Sequence, residues 1–201
     1  MLDLLWPTVC AGCGELGVGR MCPTCRGDGI RPLDPPLEGI AGGWCLGPYA
    51  GPLGAAVRRA KFGPDRSAAR TLGRLLAGSL DPLPPVRAVV PAPSARATRV
   101  RRGFAMAALL AIPVARRLHL PVVHALHVRD GPRQAASTRR GRLANLVGRV
   151  TATRDMDGEI LLVDDVVTTG STARTCAREL LGAGARCVWL LTICQTGVQV
   201  S

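Results

Sequence analysis

The segment ILLVDDVVTTGSTA, residues 160–173, constrains the fold more than any other part of the chain. Ile160–Val163 is apolar at every position, as in a strand covered on both faces of a parallel sheet. Asp164, Asp165 and Val166 then reach the carboxyl edge, where open α/β sheets bind their ligands. The chain turns through Thr168, Thr169, Gly170, Ser171 and Thr172 into a helix expected over Ser171–Leu181. Backbone N–H groups at a helix N-terminus, flanked by hydroxyls and a glycine, cradle a phosphate. Two carboxylates beside that cradle can accept hydrogen bonds from vicinal sugar hydroxyls. The segment thus pairs a sugar-reading group with a phosphate-reading one. It contains neither the Gly-Lys of a Walker A loop nor the G-x-G-x-x-G of a dinucleotide fingerprint. An ordinary capped helix accounts for the hydroxyls but not for the paired acids.

The rest of the pattern agrees with an α/β fold. Helical spacing covers residues 53–62 and 67–80, with Leu72, Leu75, Leu76 and Leu80 on one face and Gly63-Pro64 between the two. Val86–Val90 reads as a short strand before Pro91, and Pro121–Val128 and Cys187–Cys194 as further strands. Ala105–His119 has helical character, which Pro113 is expected to end or kink. Strands alternating with helices imply a parallel sheet covered on both sides. Residues 1–50 are rich in Gly, Pro and Cys and have little periodicity, so they read as a small loop-rich module. Pro32, Pro35 and Pro36 mark a linker, which predicts a module over 1–36 and a larger domain over 37–201. No apolar run approaches the roughly 20 residues of a spanning helix, so membrane insertion is not expected. The start MLDLLWPTVC is short for a signal peptide and lacks a basic region, which predicts a cytoplasmic protein.

Cys10, Cys13, Cys22 and Cys25 form C-x2-C-x8-C-x2-C. Two such knuckles bring four thiolates to the corners of a tetrahedron, the geometry Zn²⁺ prefers. The competing reading is a disulfide pair or a redox C-x2-C, which a cytoplasmic setting disfavours. A closed four-thiolate site has no open position, so its role is structural or for partner contact. Metal binding would also supply the folding energy that a module with almost no core lacks. Cys45, Cys176, Cys187 and Cys194 have no ligand spacing and read as small buried apolar residues.

The net charge of +12 is uneven. Residues 82–154 hold 14 arginines and one acid, Asp130, while the remainder holds 12 bases and 13 acids. Such a stretch suits phosphate-bearing partners, small molecules and nucleic acid alike. Aromatic residues are only 3% of the chain, which gives no support to a single-strand binder built on stacked bases. GC-rich codon usage explains the arginine excess in general. Lys61 is the only lysine, so it reads either as a surface lysine that escaped that drift or as a compact ammonium beside a phosphate or carboxylate.

The 160–173 segment resembles the phosphoribosyl-diphosphate (PRPP) motif of type I phosphoribosyltransferases. With the four cysteines in front, residues 4–195 resemble the ComF family, named for a late competence protein of bacterial DNA uptake. The likeness includes Tyr49-Ala50-Gly51 leading to Lys61-Phe62, Val90-Pro91-Ala92-Pro93, Arg102-Gly103-Phe104, Gln134, Arg142 and Asn145. It implies a type I phosphoribosyltransferase-like parallel sheet flanked by helices, with a small N-terminal zinc-ribbon-like module.

The resemblance also implies roles. Asp164 and Asp165 would approach the ribose 2′- and 3′-hydroxyls, and Thr168–Thr172 would hold the 5′-phosphate. Pro91, Ala92, Pro93 and Ser94 would lie near the pyrophosphate, with Mg²⁺ bridging pyrophosphate and ribose oxygens. The basic loop Arg96, Arg99, Arg101 and Arg102 would close over the diphosphate as a flap. The chain departs from the family at Ala105 and Met106, where Asn-Gln is usual, and at Ser137, where Leu is usual. Both departures fall where the second substrate should sit. Arg139, Arg140 and Arg142 suit either a phosphate or a helix face, and the three histidines read as local structure.

The leading expectation is a PRPP-binding protein with structural zinc and Mg²⁺, acting as a pentosyl transferase if catalytic. No side chain is an obvious general base. The rival is a non-catalytic, PRPP-sensing, nucleic-acid-handling protein in competence, with single-stranded DNA or DNA-uptake proteins as partners. A nucleobase-salvage or amidophosphoribosyl-type enzyme is a third class. Leu2 after Met1 offers no N-terminal cysteine nucleophile, which disfavours glutamine hydrolysis in cis.

Overall fold

A computed structural model describes residues 8–16, 20–27, 29–63, 65–80, 83–129 and 149–197. Gln134, Ser137, Arg139, Arg140, Arg142 and Asn145 lie outside the described residues. The first half contains α1 (Pro23–Arg26), β1 (Arg31–Pro32), β2 (Gly42–Pro48), α2 (Gly51–Phe62), α3 (Arg66–Gly78), β3 (Ala88–Pro91) and α4 (Arg96–Arg102). The second contains α5 (Met106–Leu118), β4 (Leu126–Val128), β5 (Val150–Ala152), β6 (Glu159–Val167), α6 (Ser171–Gly182) and β7 (Cys187–Gln195).

Five strands form one sheet in the order β1-β2-β7-β6-β3. The four from β2 to β3 run parallel, and β1 is antiparallel at the edge. β6 and β7 are central because they are apolar on both faces. Ile160, Leu161, Leu162, Val163, Leu190, Leu191 and Ile193 are all fully buried. One core lies between the sheet and α2, α3 and α5, where Leu72 and Leu76 are fully buried and Leu75 and Leu80 pack at the margin. The other lies beneath α6 and the β4–β5 ribbon. Each fully buried leucine contributes about 2 kcal/mol of apolar transfer, so the two cores fix which way each strand faces. No helix among the described residues is long and apolar enough to cross a membrane.

The expected helices at 53–62, 67–80 and 171–181 are α2, α3 and α6. Four elements differ from expectation, each for a physical reason. Gly42–Pro48, read as part of a loop-rich module, is a strand between β1 and β7. Its glycines hide the pattern because neighbours occupy the space of their missing side chains. A Cβ at Gly42 would meet the Trp189 ring at 2.8 Å, and one at Gly43 would meet Leu33 at 2.6 Å.

α5 runs through Pro113 without ending. A proline there cannot donate to the Leu109 carbonyl. Gly73 of α3 approaches that carbonyl instead; a Cβ on Gly73 would lie 2.8 Å from Leu109 O and 2.9 Å from Pro113 Cγ.

The segment 121–128 is not one strand of the parallel sheet. Val122 makes an isolated parallel bridge to Val89. The Ala125 N–H then closes a tight turn onto Val123 O at 2.9 Å, which redirects Leu126–Val128 into an antiparallel pair with β5. Finally, β6 does not stop at Val163. It continues through both acids to Val167, with Asp164 opposite Thr192 and Val167 opposite Gln195.

Candidate functional site

Pairing along β6 decides where the acids go. Successive strand residues point to opposite faces. Leu161 and Val163 belong to the core beneath α2, α3 and α5, and Ile160 and Leu162 to the core beneath α6. Asp165 continues the first set and Asp164 the second, yet the two carboxylates remain close enough to interact directly.

Asp165 meets α2. Lys61 Nζ lies 2.8 Å from Asp165 Oδ1, with side-chain exposures of 20% and 13%. Burial pushes the Lys61 ammonium down, but the charge and hydrogen bond of Asp165, helped by Asp164, outweigh it and hold its pKa above the usual lysine range. Lys61 is therefore charged at neutral pH.

Asp164 lines a small cleft with Val166, Val167, Thr168 and Gly170–Ala173. Its carboxylate accepts the Asp165 N–H at 2.8 Å. Burial and the neighbouring Asp165 charge push Asp164 up to about 7, against the opposing pull of Lys61 and that N–H.

The hydroxyl turn closes the same cleft. Gly170 is the N-cap of α6 with φ 73°, a left-handed conformation that favours glycine. It is also tightly packed, since a Cβ there would lie 2.6 Å from Leu37. Thr169 Oγ1 donates to Ser171 Oγ at 3.0 Å, and Arg174 Nη2 donates to Thr169 O at 2.8 Å. The Ser171 N–H donates to Thr169 Oγ1 at 3.4 Å, and with no side chain on the N-cap residue the N–H groups of Thr172 and Ala173 are left for water or an anion. Thr168 and Thr169 are exposed, and Ser171 and Thr172 half-buried.

The turn after β3 lies one strand away. Pro91 is opposite Val163, and the Ala92 N–H donates to Val163 O at 2.8 Å, which brings Pro91–Ser94 beside the acids. The expected basic loop is a short helix, α4. Arg96, Arg99 and Arg101 are exposed on it, and Arg99 Nη1 donates to Ser94 O at 3.0 Å. Arg102 is half-buried and its Nε donates to Lys61 O at 3.3 Å, which ties α4 to the end of α2.

One supporting residue was not visible in the sequence. Gln195 is buried, and its side chain clamps the Asp34 backbone by accepting from N at 3.1 Å and donating to O at 2.8 Å. That clamp holds the segment carrying Leu37 against Gly170. The residues read as a linker thus brace the hydroxyl turn. No spacing or motif signals a contact across 161 positions.

The cysteine quartet is assembled. Among the described residues it is the one group of three or more Cys, His, Asp or Glu close enough to share a metal, with all four sulfurs within 4.8 Å of one another. A tetrahedron with Zn–S bonds of about 2.3 Å has edges of about 3.8 Å. Cys13 and Cys22 sulfurs are 3.9 Å apart, and all eight cysteines of the chain are free thiols. The Cys22 N–H donates to Cys10 Sγ at 3.3 Å. Burial pushes the Cys10 thiol up, but N–H groups of Cys22, Cys13 and Gly12 outweigh it and bring it down to about 6. Burial and the adjacent thiols push Cys25 up to about 12. Four crowded thiols with one already favouring the thiolate fit a metal such as zinc. Cys10, Cys22 and Cys25 share their core with Leu53 and Val57 of α2. Arg59 Nη1 donates to Cys10 O at 3.2 Å, and Arg20 Nη1 to Ser67 Oγ at 3.0 Å, which fasten the module to α2 and α3.

A phosphoribosyl transferase domain model matches residues 102–200, a span that includes both acids and the hydroxyl turn. Competence protein F of Haemophilus influenzae is 31% identical over 158 residues, covering 72% of this chain and 69% of that protein. The chain belongs to the ComF-like phosphoribosyltransferase family. The ComF-like match extends over nearly the whole chain. DNA utilization protein YhgH of Escherichia coli K12 is 29% identical over 198 residues, 94% of this chain and 85% of that protein. Adenine phosphoribosyl transferase from Trypanosoma brucei aligns with a TM-score of 0.45 and 13% identity, over 84% of this chain and 76% of that one. The ComF-like assignment agrees with the mostly parallel sheet, its flanking helices and the four-cysteine cluster.

Proposed function

We propose that this ComF-like chain binds PRPP at the strand end and transfers its phosphoribosyl group to an acceptor. The observation that carries the reading is the shared cleft. Asp164 and the N-terminus of α6 border one small cleft, so a sugar hydroxyl and its 5′-phosphate would be met side by side at its mouth. Thr168–Thr172 takes the phosphate, and Asp164 accepts from a ribose hydroxyl. Val166 lines the same cleft, and Asp165, held by Lys61, lies beside it on the α2 side. Pro91–Ser94, with Arg99, Arg101 and Arg102 on α4, flanks the diphosphate. Mg²⁺ would ride on diphosphate and ribose oxygens, since this cation prefers phosphate ligands with few from protein. The chain's own part is to position the sugar and to stabilise the departing diphosphate with cations.

The same reading assigns 1–36 to a zinc module with its linker and 37–201 to the PRPP-binding domain. Free thiols throughout the chain suit a reducing compartment, and we place the protein in the cytoplasm. A second reading, PRPP sensing coupled to DNA handling in competence, draws support from the names of its relatives, Competence protein F and DNA utilization protein. Pyrophosphate release from labelled PRPP, measured with Mg²⁺ and a panel of nucleobases, separates the two. Turnover with one base, lost in Asp164→Asn/Asp165→Asn, supports transfer. Binding without turnover across the panel supports sensing.

A further inference from the structure

We infer that Arg174 of α6 is a positioning residue for the 5′-phosphate: by holding the Thr169 carbonyl it presets the hydroxyl turn for a phosphate dianion. The inference rests on the PRPP reading of the strand-end site and adds to it a residue from outside the turn.

Arg174 lies one helical turn into α6, and its backbone N–H donates to Gly170 O at 2.9 Å. Its side chain is half-buried and reaches back towards the start of the helix, where Nη2 donates to Thr169 O at 2.8 Å. Nη1 comes within 3.1 Å of the place a Cβ on Gly170 would take, and Leu37 closes on the same place at 2.6 Å. Gly170 is thus gripped between a guanidinium and an apolar side chain. Thr169 is held twice, at its carbonyl by Arg174 and at its hydroxyl by Ser171, whose N–H donates to Thr169 Oγ1 at 3.4 Å.

The grip fixes one peptide plane. A peptide is flat and trans, so its carbonyl and its N–H point opposite ways. Thr169 O faces Arg174, so the Gly170 N–H faces away from that guanidinium. Gly170 has φ 73° and ψ 0°, and glycine crosses to negative φ at little cost. Without the guanidinium this peptide is able to turn over, and a carbonyl oxygen then stands where the N–H stood. The N–H attracts a phosphate, and the oxygen repels it. Arg174 therefore decides which of the two the turn offers.

Charge points the same way. A cation near the positive end of a helix is unfavourable by itself. Among the described residues, Arg174 has no carboxylate in an ion pair to offset this. A phosphate at the first turn of α6 offsets both positive charges, and a dianion does so more fully than a monoanion. A sugar phosphate is mostly the dianion at neutral pH, since its second pKa is about 6. Arg178, one turn further along α6, is exposed instead, and its Nε lies 3.7 Å from Glu179 Oε1.

Titration calorimetry on the full chain tests the role with three ligands. Ribose 5-phosphate carries the 5′-phosphate without the diphosphate, pyrophosphate with Mg²⁺ is the reverse, and PRPP carries both. Arg174→Gln should weaken ribose 5-phosphate and PRPP by about tenfold, as for loss of one charge-assisted contact, and leave pyrophosphate within about twofold. Arg174→Lys keeps the charge but not the planar fork, so it should fall between wild type and the glutamine variant. Arg178→Gln should bind all three as wild type does. Amide NMR of the isotope-labelled chain reads the peptide itself: ribose 5-phosphate should move the Gly170 N–H downfield in wild type and much less in Arg174→Gln. Equal melting temperatures show that the fold persists, and the lysine variant carries the comparison with wild type if the glutamine variant does not fold. Ribose 5-phosphate bound equally by wild type and the Arg174 variants would overturn the inference alone. So would an equal loss of pyrophosphate binding, which marks a general effect on the fold or its charge. A wild type that binds neither ribose 5-phosphate nor PRPP would overturn the PRPP reading, and this inference with it, before any variant is compared.

Discussion

The one lysine of the chain, Lys61, holds Asp165 at 2.8 Å across the boundary between α2 and the end of β6. The pair joins two residues 104 positions apart, both mostly shielded from water. Arg102 also donates to Lys61 O, so one residue links α2, α4 and the strand-end acids. A compact ammonium fits this place. A planar guanidinium spreads its charge over five donors and needs more room. Lys61→Arg is therefore expected to weaken PRPP binding by about tenfold, while Arg96→Lys on the exposed face of α4 leaves it within about twofold. Titration calorimetry of both variants checks this. Equal affinities for Lys61→Arg and wild type would remove the special role of the ammonium.

Asp164 sets a dependence on pH. Burial and Asp165 push its carboxyl up to about 7, whereas in the unfolded chain it titrates near the ordinary carboxylate value. Between those values the folded protein holds a proton that the unfolded chain gives up. Stability from this group is thus present at low pH and declines as pH rises through about 4 to about 7. Asp164→Asn removes the buried charge but keeps an acceptor for the Asp165 N–H. Its melting temperature should exceed that of wild type at pH 8, and the gap should shrink towards pH 4. A gap that widened on acidification would reverse the assignment.

Metal loss should be felt by the larger domain. The cysteine quartet packs into the same core as Leu53 and Val57, so the module and α2 are expected to melt together. Incubation with a strong chelator should release about one zinc per chain and lower the melting temperature in a single transition. Cys22→Ser should do the same without chelator. Metal analysis and calorimetry on the same sample decide the point. A chain that lost zinc with no change in melting would show the module to be energetically separate.

At the α3–α5 contact, Gly73 of α3 packs directly against the backbone of α5. Gly73→Ala would bring a methyl within 2.8 Å of Leu109 O, a backbone atom that cannot rotate away. Overpacking of this kind costs about 1–3 kcal/mol. Denaturant unfolding should show that loss, and Gly78→Ala on the same helix, with open space around it, should not.

What the sequence revealed follows from where side chains carry the pattern. β6 and β7 were legible because leucine, isoleucine and valine fill both faces, and α3 because its leucines recur at helical spacing. β2 was not legible, since Gly42, Gly43 and Gly47 leave the volume of their side chains to Trp189, Leu33, Leu53 and Arg31. Pro113 suggested a helix end because the compensating residue, Gly73, lies on another helix. The acids and the hydroxyl turn carry the phosphosugar reading in the sequence. That Asp165 is taken up by Lys61 while Asp164 lines the cleft depends on β6 continuing to pair with β7 past Val163, which apolarity alone does not signal. The brace of Gln195 on Asp34 exists only once the chain is folded.

The central claim is that the strand-end acids and the hydroxyl turn form one PRPP site. Titration calorimetry of PRPP into the full chain with Mg²⁺ tests it most directly, comparing wild type with Asp164→Asn/Asp165→Asn. Loss of the Asp164–ribose contact together with the Asp165–Lys61 pair should weaken binding by about a hundredfold or more, with the double variant still folded by circular dichroism. A double variant that binds PRPP as tightly as wild type, or a wild type that does not bind PRPP, would contradict it.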